Sequence, residues 1–185
     1  MNNKIMALNT KQIEDLIIDW QKQYSKKGQL YSLSINISRD QTKLAHLNMK
    51  IEESGISLFS CSDINIYEQG KGLGSRVINI GFKLAYKEAK KLKLNPAWAY
   101  VYYWLKPGQH PMMTDKINST LRRLDFISHD DLNLPVNLSK TTYLKKYQQD
   151  GAKLQLLINK YPQPQLVQDI SKIGFWFRHL SDFEQ

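Results

Sequence analysis

The stretch Gln69-Gly-Lys-Gly-Leu-Gly-Ser75 carries three glycines at alternate positions, and an amphipathic segment follows it directly. From Ser75 to Leu92 apolar residues recur at helical spacing: Ile78, Phe82, Ala85, Ala89 and Leu92. The glycines therefore mark the start of a helix. A glycine turn that opens a helix presents unpaired backbone N–H groups and the positive end of the helix dipole, and both favour a bound phosphate.

Other interpretations of these glycines were weighed against a phosphate site. A Walker A loop requires Gly-Lys followed by Ser or Thr, whereas Lys71 is followed by Gly72. A dinucleotide-binding turn requires a different glycine spacing, a parallel βαβ unit and an acid about 20 residues further on, and none of these is evident. A hairpin loop without a ligand would have a similar composition and stays open as an alternative.

The residues before the glycines alternate between apolar and polar side chains, which predicts strands. Tyr31 to Ile37 and Ala45 to Ile51 form two such segments, joined by a link too short for a crossover, so we expect them to be antiparallel. The β-branched and small residues from Ile56 to Ile66 predict a third strand of the same meander. The glycine turn would then connect this strand to the helix.

Further elements are predicted on both sides of this region. Before it, the helical spacing of Ile13, Leu16, Ile17, Trp20 and Tyr24 predicts a helix over Thr10 to Lys26. After it, a buried strand over Ala97 to Trp104 is indicated by aromatic and β-branched content. The weaker C-terminal patterns predict helices over Thr114 to Leu124, Ala152 to Tyr161 and Leu166 to Ile173, and short strands over Thr141 to Leu144 and Phe175 to Phe177.

Length and composition set the broad class. A chain of 185 residues with 42% hydrophobic side chains can bury its own core, so we expect one domain. The single cysteine, Cys61, excludes an internal disulfide, and its setting indicates a small core residue rather than a catalytic thiol. The N-terminus has no signal-peptide pattern, and no window is apolar enough to span a membrane, so we expect a soluble, cytoplasmic protein without membrane partners.

The formal net charge of +9 favours encounter with anions. Much of this charge lies in five lysines on and after the helix that follows the glycines: Lys83, Lys87, Lys90, Lys91 and Lys93. The run is also explained as a solvated helix face whose last turn complements the dipole. The histidines have no metal-ligand spacing, so no metal site is expected.

The pattern Gln69-x-x-Gly72-x-Gly74, between an antiparallel meander and an amphipathic helix, resembles the Arg/Gln-x-x-Gly-x-Gly/Ala signature of the GNAT superfamily of N-acetyltransferases. The resemblance covers residues 10 to 105 and includes an apolar residue, Ile64, five positions before Gln69. It implies an α/β (α+β) fold in one domain over residues 1–185. That fold would have a mixed central sheet and an antiparallel N-terminal meander flanked by helices, with residues 106–185 divergent.

The resemblance also implies acetyl-CoA as the cofactor. The loop residues Gln69, Gly70, Lys71, Gly72, Leu73, Gly74 and Ser75 would hold its pyrophosphate. Ile64 and Ile66 would meet the pantetheine arm at a splayed strand. The helix after the loop and the strand Ala97 to Trp104 would complete the cleft.

The last third of the chain departs from the family pattern of a helix with a tyrosine, then Gly-Phe and a final strand. Over Leu121 to Phe126, Leu121 falls at the tyrosine place and Asp125 at the glycine place. A second segment keeps Gly174-Phe175 but has Ile170 at the tyrosine place. Neither segment supplies the expected general acid.

Acyl transfer to an amine needs a base for the ammonium proton and an acid, or another stabilising group, for the leaving thiolate. Glu68 and Asp63 lie beside the cofactor strand and are candidate bases, since family members often use a carboxylate in this region. Tyr102 and Tyr103 lie on the next strand, where one of the two must face the cleft if the strand alternates. Each of the four is equally explained as a solvated or packed side chain.

Three functions follow from these observations. The first is transfer of an acetyl group from acetyl-CoA to an amine on a protein, an aminoacyl-tRNA or a small molecule, the basic charge favouring an anionic or tRNA-linked acceptor. The second is a GNAT-like module that binds CoA without turnover. The third is a nucleic-acid-binding protein in which Tyr100, Tyr102 and Tyr103 form an exposed stacking platform. Trp98, Trp104 and Trp176 could pack either a homodimer interface or a core.

Overall fold

A computed structural model describes residues 7–24, 31–59, 63–68, 70, 72–105, 112–128, 142–160 and 172–184. Within them the chain forms an α+β fold built on one open, mostly antiparallel sheet of nine strands, with four α-helices. The strands are ordered across the sheet as β1 (Asn9–Ile13), β2 (Leu16–Tyr24), β3 (Tyr31–Arg39), β4 (Thr42–Ile51), β5 (Gly55–Phe59), β7 (Trp98–Leu105), β9 (Lys172–His179) and β8 (Ile127–Ser128). Strand β6 (Ile64–Ile66) pairs with β4 beside this path. The mixed sheet and antiparallel N-terminal meander expected from the sequence are thus confirmed at this level.

The predicted central hairpin is present. Strand β3 (Tyr31–Arg39) and strand β4 (Thr42–Ile51) pair antiparallel through a two-residue turn. Asp40 and Gln41 both have positive φ, which matches the twist that two-residue hairpin turns require. The inward residues of β3, Leu33, Ile35 and Ile37, are fully buried, while the alternate side chains are half-exposed.

The predicted N-terminal helix over Thr10 to Lys26 is wrong. The chain instead forms a hairpin of strand β1 (Asn9–Ile13) and strand β2 (Leu16–Tyr24). The helical spacing of the apolar residues concealed a second, alternating pattern in which Leu16, Ile18 and Trp20 are buried and Ile17 is 38% exposed. Pairing β2 with β3 extends the sheet and buries that alternating face, and this tertiary gain outweighs the helical spacing.

The predicted third strand, Ile56 to Ile66, is divided in two. Strand β5 (Gly55–Phe59) pairs with β4 on one edge and, in parallel, with strand β7 (Trp98–Leu105) on the other. Strand β6 (Ile64–Ile66) pairs antiparallel with β4 further along. Cys61 falls between the two strands, outside the described residues. The parallel β5/β7 pair is connected through helix α1 (Leu73–Lys91), as a crossover requires.

Helix α1 packs on the face of the sheet that carries the larger core, against β3, β4 and β5. Its buried stripe includes Val77, Phe82 and Ala85, as the periodicity predicts. Helix and sheet approach closely at Gly81, where a Cβ would lie 2.6 Å from Leu47 Cδ1. A larger residue at this point would push the helix off the sheet.

The C-terminal third places elements on both faces of the sheet. The predicted helices are confirmed as α2 (Met112–Arg123) and α4 (Gly151–Lys160), and the closing strand as part of β9 (Lys172–His179). A two-residue strand, β8 (Ile127–Ser128), pairs with β9. The predicted strand over Thr141 to Leu144 is wrong, because residues Thr142–Lys146 form helix α3. The predicted helix over Leu166 to Ile173 lies mostly outside the described residues, and its last two positions belong to β9.

A second core lies on the opposite face, where α3 and α4 cover β7 and β9. Trp98 is fully buried there between Tyr147 and Phe177, with ring centroids 6.0 and 5.7 Å away. Trp176 is buried in the larger core, and the side chain of Trp104 lies outside the described residues. Trp98 and Trp176 therefore serve the interior rather than an exposed interface. Within the described ranges no helix is both long and apolar enough to cross a membrane.

Candidate functional site

A gap opens in the sheet between β6 and the second half of β7. Strand β5 stays paired with β7 as far as Phe59 and Tyr102. Beyond that point β6 pairs with β4 and β7 pairs with β9, so β6 and β7 are not joined by strand pairing. We call this opening the β6/β7 gap. Among the described residues these two strand edges have no strand partner across the gap, and such edges can offer backbone donors and acceptors to an extended ligand.

Residues 70 and 72–75, which we call the glycine turn, lie at the end of this gap. Gly74, in the first turn of α1, lies between β6 and α2, where an added Cβ would be in van der Waals contact with both, 3.4 Å from Ile66 Cδ1 and 3.9 Å from Thr120. Ile64 and Ile66 are half-buried and pack on the larger core. The first turn of α1 thus joins β6 to α2.

The glycine turn has the backbone conformation that only glycine adopts readily. Gly70 has φ of 107° and Gly72, the N-cap of α1, has φ of 71°. A Cβ at either position would meet nothing within 4 Å, so both face open space. Leu73 is buried and anchors the turn. Gln69 and Lys71 lie outside the described residues.

Several polar groups of the glycine turn are without partners. The amide of Leu73 donates to the Gly70 carbonyl at 3.2 Å, but the amides of Gly72, Gly74 and Ser75 donate to no other residue that the structure describes. The Ser75 hydroxyl is buried and likewise has no partner among those residues. Free N–H groups at a helix N-terminus attract anions. The predicted loop residues that the structure describes thus present backbone donors of the kind that bind anions at helix N-termini.

The two candidate tyrosines lie on opposite faces of β7. Tyr103 is 2% exposed on the α1 and α2 face, and its hydroxyl donates to Asn118 Oδ1 of α2 at 2.9 Å. Its ring lies directly over Gly174, where an added Cβ would overlap the phenol. Tyr103 is therefore held between β9 and α2, beside the β6/β7 gap.

Tyr102 points to the other face and is half-buried, with its ring stacked on Tyr100 at 6.2 Å. Burial raises the pKa of Tyr102, and the negative charges of Asp63 and Glu52 raise it further. Asp63 itself is 9% exposed at the start of β6, and its carbonyl accepts from the Asn48 amide at 2.7 Å. Tyr102 and Asp63 thus interact at the closed end of the β6/β7 gap.

Glu68 is exposed and joins a cluster of charged residues from three elements. Its Oε2 lies 3.8 Å from Arg39 Nη1, and Arg39 also pairs with Asp15 at 2.6 Å. Arg76, in the first turn of α1, binds Glu14 and Asp15 at 2.5 and 2.8 Å. These contacts fasten the β1/β2 turn beside the glycine turn and link Glu68 to that cluster.

The segment after α2 shows how Asp125 adopts the backbone conformation expected of the glycine at this position in the sequence pattern. The Phe126 amide donates to the Leu121 carbonyl and the Asp125 amide to the Arg122 carbonyl, both at 3.0 Å, which is the Schellman pattern. Asp125 has φ of 56°, the left-handed conformation usually taken by glycine. Leu121, at the tyrosine place, is fully buried. The phenol nearest this part of α2 is supplied by Tyr103, one turn before Leu121 at Asn118.

Sequence reasoning did not find Asn118, Thr120 or Arg76 as neighbours of the site. Their only sequence signal was a place on a predicted helix, and contact across the fold decides their role. Tyr100 is 5% exposed and Tyr103 2%, so these two do not provide the exposed stacking platform of the nucleic-acid hypothesis. The described residues contain no cluster of three or more His, Cys, Asp or Glu side chains that could hold a metal ion.

Comparisons of this chain with protein-family models, with curated proteins and with solved structures found no match.

Proposed function

We propose that this chain is a GNAT-like acyltransferase that transfers an acetyl group from acetyl-CoA to an amine acceptor. The observation that carries the proposal is the glycine turn at the N-terminus of α1, which lies at the end of the β6/β7 gap. A phosphate-binding turn beside a slot for an extended chain suits the two halves of a CoA molecule.

The order of elements supports the same family. An antiparallel meander leads through a glycine turn into α1, then into the parallel strand β7, helix α2 and strand β8, with helices α3 and α4 before the last strand, β9. This order agrees with the expectation drawn from the GNAT signature, and the β6/β7 gap corresponds to the splayed strands expected there. The β1/β2 hairpin replaces the helix expected before the meander.

The described loop residues fit a pyrophosphate. Gly70 and Gly72 face open space, and the amides of Gly72, Gly74 and Ser75 are free to donate. Ile64 and Ile66 offer an apolar wall to a pantetheine arm in the β6/β7 gap. A bound acetyl-CoA would supply the activated acetyl thioester.

Proton transfers are then assigned to side chains around the gap. Asp63 is the candidate base for the acceptor ammonium, directly or through a water, and Glu68 is the more exposed alternative. Tyr102 is a candidate acid for the leaving sulfur, because its phenol carries a proton at neutral pH and lies near Asp63 at the gap. Tyr103, held by Asn118 on the opposite face, is the alternative acid if the thioester lies toward α2.

The first test is calorimetric titration of acetyl-CoA, CoA and ATP into the wild type and two isosteric variants, Gly72→Asp and Gly72→Asn. Both new residues tolerate the left-handed backbone of Gly72, so they differ mainly in charge. We expect micromolar binding of both CoA ligands by the wild type, weak binding of ATP, and a loss of about tenfold or more with Asp only. Absence of CoA binding by the folded wild type, or equal losses in both variants, would overturn the proposal.

The second test separates an enzyme from a module that binds CoA without turnover, the second hypothesis. Release of free CoA thiol is followed with a panel of peptide and small amines, for the wild type and for Tyr102→Phe, Tyr103→Phe, Asp63→Asn and Glu68→Gln. Loss of a proton-transfer group lowers the rate by about a hundredfold or more while CoA binding persists. CoA binding without transfer to any amine in the panel would favour the module.

A further inference from the structure

A cavity runs along the side of α1, from Arg76 in its first turn to Lys91 in its last. It has a volume of about 500 Å³ and is enclosed by the β1/β2 hairpin on one side and α1 on the other. We call it the hairpin groove. Its volume falls within the range of about 300–1,000 Å³ that is typical of small-molecule sites.

The floor of the hairpin groove is apolar. Ile13, Ile18 and Trp20 line it from the hairpin, and Ile80 and Leu84 line it from α1. Trp20 is 8% exposed, and its indole Nε1 is buried without a hydrogen-bond partner among the described residues. Floor side chains of this kind favour an apolar body in the ligand.

Five basic side chains and the exposed acid Glu14 form the rim of the groove, and a second acid in its lining, Glu88, is buried. Both acids already have partners, since Glu14 binds Arg76, and Glu88 binds Lys22 and Lys91. Both acids are therefore neutralised within the protein.

Three basic groups of the rim remain free. Lys11, Lys83 and Lys87 are exposed and have no carboxylate partner in the part of the chain that the structure describes. Lys83 and Lys87 lie one turn apart on α1, where like charges repel each other. A bound anion would relieve this repulsion.

We propose that the hairpin groove binds a small amphipathic anion, with an apolar chain on the floor and one carboxylate or phosphate held by Lys83 and Lys87. A nucleic acid would need exposed aromatic faces or a broad basic surface, whereas Trp20 is buried and the groove is concave with an apolar floor. The acetyl-CoA site of the proposed function lies at the N-terminus of α1, whereas Lys83 and Lys87 lie further along the helix, so the two sites use different residues.

The test is calorimetric titration of decanoate below its micelle concentration into the full chain. Butyrate keeps the carboxylate without the long chain, decanol keeps the chain without the charge, and decyltrimethylammonium reverses the charge. We expect decanoate to bind more tightly than all three, with a stoichiometry of one. Binding of butyrate as tight as that of decanoate would overturn the proposal, because the apolar floor would then contribute nothing.

The matched variants are Lys83→Gln/Lys87→Gln and the control Lys43→Gln/Lys145→Gln, which removes the same charge from exposed lysines on β4 and α3. We expect the first pair to weaken decanoate binding by about tenfold and the control pair to leave it unchanged. Gly72→Asp should also leave decanoate binding unchanged, which separates this site from the proposed CoA site.

Two further outcomes would also overturn the proposal. One is an equal affinity for decanoate in the two double variants, Lys83→Gln/Lys87→Gln and Lys43→Gln/Lys145→Gln. The other is binding only to phosphatidylglycerol vesicles or to a single-stranded oligonucleotide, without binding of monomeric decanoate.

Discussion

The glycine turn and the hairpin groove are both built on α1, but they use different chemistry. At the N-terminus of α1 the potential ligand groups are backbone amides, exposed because Gly70 and Gly72 have positive φ. Along the side of α1 they are lysine side chains above apolar residues contributed by a hairpin about 60 residues earlier in the chain. The first arrangement is local in sequence, and the second exists only once the hairpin has docked.

The two sites also differ in the contacts that hold them in place. The first turn of α1 lies between β6 and α2 at Gly74, and Arg76 links it to the β1/β2 turn. The hairpin groove is held by buried Trp20 and by the ion pair between Lys22 and Glu88, 2.6 Å long with Glu88 only 1% exposed. Changes at Trp20 or Glu88, which lie away from Arg76, should therefore leave the glycine turn intact, and this separation can be tested.

The largest effect is expected from Trp20→Ala, which removes the floor of the hairpin groove. Replacing a buried tryptophan by alanine costs about 3–5 kcal/mol of unfolding free energy. Ile17→Ala is the control, because Ile17 lies on the same strand but is 38% exposed. Urea unfolding measures the cost, and the folded variant should lose decanoate binding yet keep CoA binding. Loss of CoA binding by the folded variant would contradict this separation of the two sites.

The next effect is expected at Gly174→Ala, beside the β6/β7 gap. Its Cβ would overlap the Tyr103 ring, so the variant should be destabilised by about 2 kcal/mol. Gly151→Ala is the matched control, since a Cβ there meets nothing within 4 Å and the residue has helical φ. Thermal unfolding should show a loss for the first and none for the second. Equal melting temperatures of Gly174→Ala and the wild type would mean that the Tyr103 ring moves aside without loss of stability.

A smaller, pH-dependent effect is expected at Glu88→Gln. Burial alone would raise the pKa of Glu88, but hydrogen bonds from Lys22 and Lys91 outweigh it and hold the pKa below its ordinary value of 4.5. The ionised carboxylate therefore stabilises the fold above pH 4.5, and this contribution disappears as the pH falls through the lowered pKa.

At neutral pH the Glu88→Gln variant should be less stable than the wild type by about 1.5 kcal/mol. Urea unfolding at a series of pH values should show this difference as constant down to pH 4.5 and narrowing below it. Asp19→Asn, on the outward face of β2, is the control for loss of an acid outside the buried ion pair. A difference that widens in acid would contradict the assignment.

The smallest effect is expected from Lys93→Gly at the C-terminal end of α1, which should make the fold more stable. The Leu94 amide donates to the Ala89 carbonyl and the Lys93 amide to the Lys90 carbonyl, both at 3.0 Å, and Lys93 has φ of 60°. Glycine at this left-handed position should stabilise the fold by about 0.5–1 kcal/mol. Thermal unfolding measures it, with Lys87→Gly in the helix interior expected to change stability in the opposite direction. Neither ligand site should be affected by Lys93→Gly, since its backbone lies beyond both.

Much of the fold could be predicted because most elements carry one dominant pattern. Alternation predicted β3 and β4, and the spacing from Ile78 to Ala89 predicted α1. The N-terminal segment failed because its apolar residues fit two periods at once, and pairing with β3 selected the strand. The strand predicted over Thr141 to Leu144 failed because a four-residue pattern is too short to distinguish a strand from one helical turn.

The candidate site divides in the same way. The glycine turn was found from sequence, because glycine spacing and a following helix are local features. Its neighbours Asn118, Thr120 and Arg76 were not found, since only the packing of α2 and the hairpin brings them close. Strand alternation predicted that Tyr102 and Tyr103 point to opposite faces of β7. It did not predict which of these faces packs against α1 and α2.

By itself, the sequence determined the meander, the glycine turn, the helix after it and the basic charge, because each depends on residues that are neighbours along the chain. Tertiary structure alone decided that residues 9–24 form a hairpin, that the third strand divides to open the β6/β7 gap, and that lysines of α1 face an apolar floor. Those features depend on contacts between distant segments. Burial of apolar surface selects such contacts only when the whole sheet has assembled.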